Sequence, residues 1–282
     1  MGAAKKKGML ALDLDGTAVC DDYHMGEATK RAILLAREAG YVTAFVTGRR
    51  DMDMLTLEED SLCVDYLILN NGGKIVCCET KEILYNHRIC QEDCLKLMGY
   101  CLEQELELHV CDGIRWFVNM ITDSTREYAE ELNTWPKLYG QAGEVFCGEG
   151  VEGFMALRDW RQVGDYIEKN LSNVTYTLSE PDCIDIMAAG ITKWDGIKKL
   201  AAIEQLTEDG IIAVGNFYND VDMLRHAAIG VAAANSPEEV KAQADYVTDR
   251  TNNQDCVAEV VEKFLRIPVL AGEGSESGRD KN

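Results

Sequence analysis

The sequence predicts an α/β fold in which a parallel sheet is interrupted by an inserted α+β unit. Short apolar runs alternate with amphipathic stretches over residues 8–80, and the same alternation resumes after Lys193. Between these two parts the pattern changes to longer helices and a hairpin. At 282 residues, the chain is long enough to bury a sizeable core and to include a second unit.

The first part of the chain is predicted to alternate strands with crossover helices, which implies parallel strands. The helix over Glu27–Ala39 is predicted from Ala28, Ala32 and Leu35 at helical spacing, and from Gly40, a residue favoured just past a helix end. The predicted strands are Met9–Leu14, Val42–Val46 and Tyr66–Leu69, and a short helix is predicted over Met52–Leu57.

The inserted unit is predicted to contain a hairpin, because the turn residues Asp112-Gly113 separate two apolar runs. Its other predicted elements are helices over Cys90–Leu106, Thr125–Leu132 and Gln162–Asn170, and strands over Phe154–Leu157 and Thr175–Leu178. After it come predicted strands Ile211–Val214, Ile229–Ala232 and Tyr246–Val247, and helices Gly196–Ile203, Asp220–Ala227, Pro237–Ala242 and Val257–Phe264. We therefore expect residues 1–80 and 186–270 to form the core, 81–185 the insert, and 271–282 a disordered polar tail.

The composition argues against several classes of protein. A net charge of −21 repels nucleic acid and anionic lipid, so neither is an expected partner. We expect no membrane span, because no run of about 18 apolar residues occurs, and no signal peptide, because the first residues, MGAAKKKGML, contain no long apolar region or cleavage site. An odd number of cysteines, 11, without any Cys-x-x-Cys pair favours reduced thiols in the cytoplasm over a disulfide framework or structural zinc.

Two carboxylates stand at the end of the first predicted strand, in LDLDGT at residues 12–17. On a regular strand, Asp13 and Asp15 would point to the same side about 7 Å apart. Two like charges facing one another are unfavourable unless a positive group lies between them. The pair is consistent with an ordinary Asp-Gly turn or with a site for a cation and a phosphate, and the rest of the chain is needed to choose between the two.

Other polar residues also stand where strands of the core end. Thr47 follows the second strand, and Asn219 and Asp220 follow Ile211–Val214, while Lys193 opens the helix before that strand. Ligands of parallel α/β sheets bind outside the carboxyl ends of the strands, so we expect these side chains at one rim. Each alone is explained by a turn, a solvated lysine or a helix cap, but their joint occurrence in this order favours a site.

Four stretches resemble the four motifs of the haloacid dehalogenase superfamily, the aspartate-nucleophile phosphatases. The resemblance is to the Cof-type subgroup, which has a large cap inserted between the second and third motifs. In motif order, they are DLDGT at 13–17, VTGR at 46–49, ITKWDGIKKL at 191–200 and GNFYNDVDML at 215–224. ILNNGG at 68–73 and VAAANSPEEVKAQADYVTD at 231–249 are also similar to the subgroup. The resemblance covers about residues 8–265 and implies a Rossmann-like core with an α+β cap.

The resemblance implies a role for each matching residue. Asp13 would attack phosphorus to form an aspartyl-phosphate, and Asp15 would act first as an acid and then as a base. Thr47 would bind a phosphoryl oxygen, and Lys193 would balance charge. A divalent cation, Mg²⁺, would neutralise the repulsion between a carboxylate and a phosphate ester. The expected metal ligands are Asp13, Asp15, Asn216 and Asp220, and the expected phosphate-binding residues are Gly16, Gly48, Asn71 and Asn219.

Two positions depart from the pattern of the subgroup. Asn216 stands where an aspartate is usual; because an amide brings no charge, we expect weaker metal binding, with Asp220 moving in. Trp194 stands where glycine is usual, and we expect it either to narrow the entrance or to contact the cap. In the cap, Arg115, Trp116 and Arg158 are candidates for contact with substrate.

The leading interpretation is a cytoplasmic Mg²⁺-dependent phosphatase that acts on a small phosphorylated metabolite, with a sugar phosphate as the first candidate. One alternative is a sugar phosphomutase with the same capped fold, which needs a second phosphate clamp in the cap. The cap has no evident basic cluster, which weighs against this alternative. Another alternative, favoured by Asn216, is a binding or regulatory module with a weakened site. The identity of the substrate and the oligomeric state stay open.

Overall fold

The computed structural model describes residues 6–57, 63–145, 150–180 and 182–269 of the chain. The predicted disordered tail, residues 271–282, lies outside the described residues. Those residues form two β-sheets, one of eight strands and one of six, with helices packed against them. The predicted α/β class with a second, inserted unit is confirmed.

The strands are β1 (Gly8–Leu12), β2 (Tyr41–Val46), β3 (Tyr66–Leu69), β4 (Lys74–Cys77), β5 (Ile83–Asn86), β6 (His109–Asp112), β7 (Arg115–Val118), β8 (Lys137–Leu138), β9 (Gly153–Leu157), β10 (Val174–Glu180), β11 (Cys183–Ala188), β12 (Ile211–Gly215), β13 (Ile229–Ala232) and β14 (Tyr246–Val247). The first sheet has the order β14-β13-β12-β1-β2-β3-β4-β5. Its strands are parallel from β14 to β3, and β4 and β5 extend it in antiparallel fashion. The second sheet has the order β10-β11-β9-β6-β7-β8, and only its β7–β8 pair is parallel within the described residues.

The α-helices are α1 (Glu27–Glu38), α2 (Gln91–Glu103), α3 (Asp123–Glu131), α4 (Trp160–Asn170), α5 (Lys193–Ile203), α6 (Val221–His226), α7 (Glu238–Lys241) and α8 (Cys256–Val260). The short helix predicted near Met52 is a 3-10 turn over Asp53–Leu57, and α8 continues into a π-helical turn over Val261–Leu265. The predicted helices therefore form within a few residues of the expected bounds.

The two sheets divide the chain at positions that differ from the predicted boundaries between core and insert. The strand β5 lies in the segment predicted as the insert, but it pairs with β4 in the first sheet. The strand β11 crosses the predicted boundary at residue 186 and belongs to the second sheet. The chain therefore leaves the first sheet after Asn86 and returns after Ala188. We call residues 89–188 the cap and the rest the core.

The central strand β1 is buried on both faces of the first sheet. Leu10 and Leu12 pack in one hydrophobic cluster, and Met9 and Ala11 pack in a cluster on the other side, as the period of two in a strand requires. Burial of a large apolar side chain favours folding by about 1.5–3 kcal/mol. Burial from both sides therefore holds β1, and the residues that follow it, in a fixed position.

The strand order reverses at β1, which lies between β12 and β2. In parallel sheets such a reversal leaves a crevice outside the carboxyl ends of the strands, where ligands bind. The segments after β1, β2 and β12 meet at this crevice, and they carry Asp13, Thr47 and Asn216. The topology thus brings three of the four motif-bearing segments to one edge.

Two further observations concern the length of the helices and the state of the cysteines. In the part of the chain that the structure describes, no helix combines the length and apolarity needed to cross a membrane. The cysteines with described positions are all free thiols, and most of them are buried.

Candidate active site

A cavity of about 900 Å³ lies between the carboxyl edge of the first sheet and the cap. A volume of this order is typical of sites for small molecules. Seven of the ten predicted site residues line it, namely Asp13, Asp15, Gly16, Thr47, Gly48, Asn216 and Asn219. The other three, Lys193, Asn71 and Asp220, are buried and contact the lining residues.

Lys193 joins two carboxylates beneath the cavity. Its ammonium nitrogen lies 2.6 Å from Asp13 Oδ1 and 2.6 Å from Asp220 Oδ1, and all three side chains are buried. Lys193 is the first residue of α5, and the Thr192 side chain caps this helix by accepting a hydrogen bond from the Asp195 N–H. Because an unpaired buried charge is strongly unfavourable, the three groups depend on one another.

Burial and neighbouring charges shift the proton affinity of this cluster. Burial is the largest cause that raises the pKa of Asp13 to about 7; the charge of Asp220 also raises it, and Lys193 opposes both. For Lys193, burial lowers the pKa, but the charges of Asp13 and Asp220 outweigh burial and raise it above its ordinary value. Lys193 is therefore an ammonium ion, and Asp13 is a carboxyl group whose ionised form an added cation would stabilise.

Three neighbouring atoms form what we call the oxygen group: Asp13 Oδ2, the Asp15 carbonyl oxygen and the inner atom of the Asn216 amide, which is the amide atom that faces these two oxygens. That inner atom lies 3.0 Å from Asp13 Oδ2, 2.9 Å from the Asp15 oxygen and 3.0 Å from Thr17 Oγ1. With nitrogen inward, the amide donates hydrogen bonds to these oxygens. With oxygen inward, it accepts from the Thr17 hydroxyl and faces two further oxygens.

The oxygen group fits a hard divalent cation. Neighbouring ligands of an octahedral Mg²⁺ with bonds of about 2.1 Å lie about 3 Å apart, which is the spacing of the Asn216 atom from both oxygens. Gly16 allows this approach, since its φ is +73° and an added Cβ would lie 2.3 Å from Asn216 Nδ2. Among the described residues no cluster of three His, Cys, Asp or Glu side chains is placed to hold a metal, so the candidate cation site has one carboxylate, a carbonyl and an amide.

Asp15 departs from the geometry expected of a regular strand. The strand β1 ends at Leu12, and the Asp15 side chain turns to Arg49 instead of facing Asp13. Arg49 Nε lies 2.9 Å from Asp15 Oδ2 and Nη2 lies 2.7 Å from Oδ1, in a bidentate ion pair. Burial lowers the pKa of Arg49, but the hydrogen bond and charge of Asp15 outweigh it and raise that pKa.

The segment after β2 supplies a hydroxyl and a backbone surface. Thr47 is buried, and its hydroxyl oxygen accepts a hydrogen bond from the Arg49 N–H at 3.1 Å, which leaves the hydroxyl hydrogen to be donated elsewhere. Asn71 lies behind Gly48, and its Oδ1 accepts a hydrogen bond from Asn219 Nδ2 at 3.0 Å. Asn71 Nδ2 is buried and has no partner among the described residues, so it is a spare donor beside this loop.

A second arginine connects the core to the cap. Arg50 Nε lies 2.9 Å from Asp53 Oδ2, and its Nη1 lies 3.4 Å from Asp185 Oδ1 of the cap. Arg50 also donates to the Tyr128 hydroxyl at 3.1 Å, and that hydroxyl donates to Asp53 Oδ1 at 2.5 Å. Burial lowers the pKa of Arg50, but the charge of Asp53 outweighs it and raises that pKa well above its ordinary range. These residues line the cavity, and the hydrogen bonds of Arg50 to Asp185 and Tyr128 join the core to the cap.

These contacts bear on the expectations for Asp220 and Trp194. Asp220 Oδ1 accepts a hydrogen bond from Lys193, and Oδ2 accepts hydrogen bonds from the N–H groups of Asn216 and Phe217. These contacts give no support to the expectation that Asp220 moves into the metal site. Trp194 is 4% exposed, packs in a hydrophobic cluster of the core and stacks on His226, so among the described residues it neither lines the cavity nor packs in a cluster of the cap. The cause is its place on the face of α5 that packs against the sheet.

The cap candidates from the sequence do not reach the cavity. Trp116 is buried against His109, Arg115 pairs with Asp112, and neither these two nor Arg158 lines the cavity. The sequence reasoning missed Thr17, Arg49, Arg50 and Asp53 as parts of the site. The two consecutive arginines after β2 were a signal, because charged residues at the end of a central strand face the crevice. The cap residues gave no comparable signal.

The fold and the site are those of an α/β protein with a buried aspartate in its cavity, and comparison with known proteins gives the family. The chain belongs to the haloacid dehalogenase-like hydrolases, whose family model matches residues 10–261. Its class is that of the Cof-type capped phosphatases, so it is a phosphoric monoester hydrolase. The predicted family, fold class and enzyme class are therefore confirmed.

Similar proteins span most of the chain. A 5-amino-6-(5-phospho-D-ribitylamino)uracil phosphatase of Bacillus subtilis is 26% identical over 261 residues, which are 91% of this chain and 95% of that protein. An HMP-PP phosphatase of Yersinia pseudotuberculosis is 25% identical over 243 residues, which are 83% of this chain and 86% of that protein. The structure of a haloacid dehalogenase-like hydrolase from Bacteroides thetaiotaomicron has a TM-score of 0.81 at 24% identity, covering 91% of this chain and 99% of that one.

Proposed function

We propose that the protein is a Mg²⁺-dependent phosphatase that hydrolyses a small phosphate monoester through a phosphorylated Asp13. The observation that carries this proposal is that the two carboxylate oxygens of Asp13 have different neighbours. Its Oδ1 contacts Lys193 at 2.6 Å, and its Oδ2 belongs to the oxygen group. One carboxylate thus meets a fixed positive charge at one oxygen and a candidate cation site at the other.

In the first step, Asp13 Oδ1 attacks phosphorus and the bond from phosphorus to the ester oxygen breaks. The leaving oxygen takes a proton from Asp15, and Lys193 and Thr47 balance and bind the phosphoryl oxygens. In the second step, Asp15 takes a proton from a water that attacks phosphorus, and the bond to Asp13 breaks. When bound, Mg²⁺ would supply charge neutralisation between the carboxylate and the phosphoryl group, held by Asp13, the Asp15 carbonyl and Asn216.

The pairing of Asp15 with Arg49 implies a change when substrate binds. In the observed arrangement both oxygens of Asp15 accept hydrogen bonds from Arg49, so the carboxyl group is not placed to donate a proton. The phosphoryl oxygens of a substrate would compete with Asp15 for the guanidinium group. We propose that this competition frees Asp15 only when an ester is present, and that Asp220 orients Lys193 and the loop after β12.

The substrate is proposed to be a small phosphorylated metabolite, with a sugar or sugar-alcohol phosphate as the first candidate. The similar protein of Bacillus subtilis is named for a substrate with a phosphorylated ribityl group, and that of Yersinia is named as an HMP-PP phosphatase. A cavity of about 900 Å³ between core and cap has room for esters of this size. Enclosure by the cap would also limit access of water during the first step.

Two alternatives make different predictions. A phosphomutase needs a second phosphate clamp, but among the described lining residues of the cap there is no Lys, Arg or His. A regulatory module with a weakened site is disfavoured by the intact contacts of Asp13, Lys193 and Asp220. Both alternatives predict little release of inorganic phosphate from p-nitrophenyl phosphate and from sugar phosphates.

The proposed function is tested by measuring inorganic phosphate release from a panel of phosphate monoesters, with Mg²⁺ and with a chelator. We expect turnover that requires Mg²⁺ and that is lost in Asp13→Asn, because an amide is a poor nucleophile for phosphorus. Isomerised sugar phosphate without release of phosphate would support the mutase. No reaction with any ester at high Mg²⁺ would support the regulatory module.

A further inference from the structure

The charged side chains that line the cavity are unevenly divided between core and cap. Among the described residues, six carboxyl groups and two guanidinium groups line it, and both guanidinium groups belong to the core residues Arg49 and Arg50. The cap contributes three carboxyl groups, those of Glu127, Asp182 and Asp185. The side of the cavity that would face the leaving group is therefore acidic.

Neither arginine presents an unopposed positive charge to the cap side. Arg49 is held by both oxygens of Asp15, and Arg50 is shared by Asp53 and Asp185. Glu127 on α3 and Asp182 before β11 are exposed, and within the described ranges their side chains form no hydrogen bond or ion pair. These two carboxylates are available to a ligand in the cavity.

Apolar surface in the same cavity points to a leaving group with an uncharged face. Tyr23 and Phe217 of the core and Leu178 of the cap line the cavity and are 61%, 39% and 45% exposed. Large apolar side chains exposed together beside a polar site are typical of a surface that contacts a ligand. Aromatic rings in particular pack against flat or ring-shaped ligands.

We infer that Glu127 and Asp182 make the enzyme selective for phosphate monoesters whose leaving group is neutral or cationic and carries hydroxyl or amino groups. Carboxylates accept hydrogen bonds from such groups, and they repel a carboxylate or a second phosphate brought to the same place. The charge of the reacting phosphate would be met separately, by Lys193 and by a cation held at the oxygen group, while Thr47 would donate a hydrogen bond. The inference rests on the proposed function and names the substrate class of that site.

The test uses three esters with the same ring and the same 1-phosphate, which differ in charge away from the phosphate. They are glucose 1-phosphate, glucuronate 1-phosphate and glucosamine 1-phosphate, and kcat/KM is measured for each with Mg²⁺ at low ionic strength. We expect the glucuronate ester to be the poorest by about tenfold, and the difference to shrink as added salt screens the charges. In Glu127→Gln/Asp182→Asn, we expect the ratio of kcat/KM for the glucuronate ester to that for the glucose ester to rise by about tenfold.

Glu130→Gln is the matched control, because Glu130 is exposed on the same helix but does not line the cavity. It should leave the ratio of the three esters as in the unmodified enzyme. For an ester that is hydrolysed too slowly, Ki against p-nitrophenyl phosphate provides the same comparison. Equal rates for the glucuronate and glucose esters, or a ratio unchanged in the double variant, would overturn the inference and leave the phosphatase activity standing. Failure to hydrolyse any ester, p-nitrophenyl phosphate included, would overturn the proposed function and the inference with it.

Discussion

Replacing Asn216 by aspartate is expected to tighten the binding of Mg²⁺. The inner amide atom lies 3.0 Å from Asp13 Oδ2 and 2.9 Å from the Asp15 carbonyl oxygen, so the variant places a second carboxylate oxygen in the oxygen group. It also removes the amide hydrogens that can satisfy these oxygens when no cation is bound. Two carboxylates that repel each other without the cation are both stabilised by it, so both changes favour the bound state.

The expected magnitude follows from the charges and the burial of the site. Two unit charges about 4 Å apart interact by about 1 kcal/mol in water and about 4 kcal/mol at an effective dielectric constant of about 20. A carboxylate is attracted to a doubly charged ion more strongly than it is repelled by Asp13. Because Asn216 is half-buried, we expect a net gain of about 2 kcal/mol. That gain corresponds to a decrease of about 30-fold in the half-saturating Mg²⁺ concentration.

Calorimetric titration with Mg²⁺ in the absence of substrate measures this change directly, and Mg²⁺ titration of phosphate release provides a second readout. Asn219→Asp is the matched control, because it adds the same charge in the same loop, but its amide bonds to Asn71 and not to the oxygen group. We expect the control to change the half-saturating concentration by less than about threefold. An Asn216→Asp variant with an unchanged or higher half-saturating concentration would refute the assignment of Asn216 to a ligand position.

Three further predictions concern Lys193 and Arg49 of the site and His109 of the cap. Lys193→Met leaves the buried carboxylates of Asp13 and Asp220 unpaired, so we expect loss of phosphate release and a stability loss of about 3–5 kcal/mol in urea unfolding; unchanged stability would contradict the pairing. Arg49→Gln removes the guanidinium group for which the phosphoryl oxygens are proposed to compete with Asp15, so we expect kcat/KM to fall by about tenfold or more, while the melting temperature changes little, because the pair is half-exposed at Asp15 and such ion pairs contribute about 0–1 kcal/mol. Burial lowers the pKa of the His109 side chain in the folded protein, against the opposing effect of Glu107. The unfolded chain therefore takes up a proton below about pH 6.5 that the folded protein does not, and the free energy of unfolding should fall with decreasing pH by up to about 1.4 kcal/mol per unit; His109→Gln should lack this part of the slope in urea titrations.

The strands that position the site could be predicted because each is a short apolar run that ends directly at polar residues. The bounds of β3, β13 and β14 are those the sequence predicts. The strands β4 and β11 were missed because each contains a charged residue that is neutralised only in the folded chain. Lys74 in β4 is buried because Asp51 and Glu152 each lie 2.8 Å from its ammonium nitrogen. Asp185 in β11 pairs with Arg50 from the core.

The sequence predicted which segments meet at the candidate site, but it did not predict how their side chains pair. The motif order and the strand ends predicted one rim, and the ten predicted residues lie in or directly behind one cavity. The pairing of Asp15 with Arg49 was hidden, because it depends on the chain leaving the strand after Leu12. The positions of Glu127 and Asp182 depend on how the cap packs on the core, which no local pattern encodes.

The claim that Asp13 carries the phosphoryl group during turnover is tested most directly by trapping that group. The enzyme is mixed with a radiolabelled ester and Mg²⁺, quenched in acid during turnover, and digested for mass spectrometry. We expect the label on Asp13, and neither label nor phosphate release in Asp13→Asn. Release of phosphate without any label at Asp13, or normal turnover by Asp13→Asn, would contradict the mechanism.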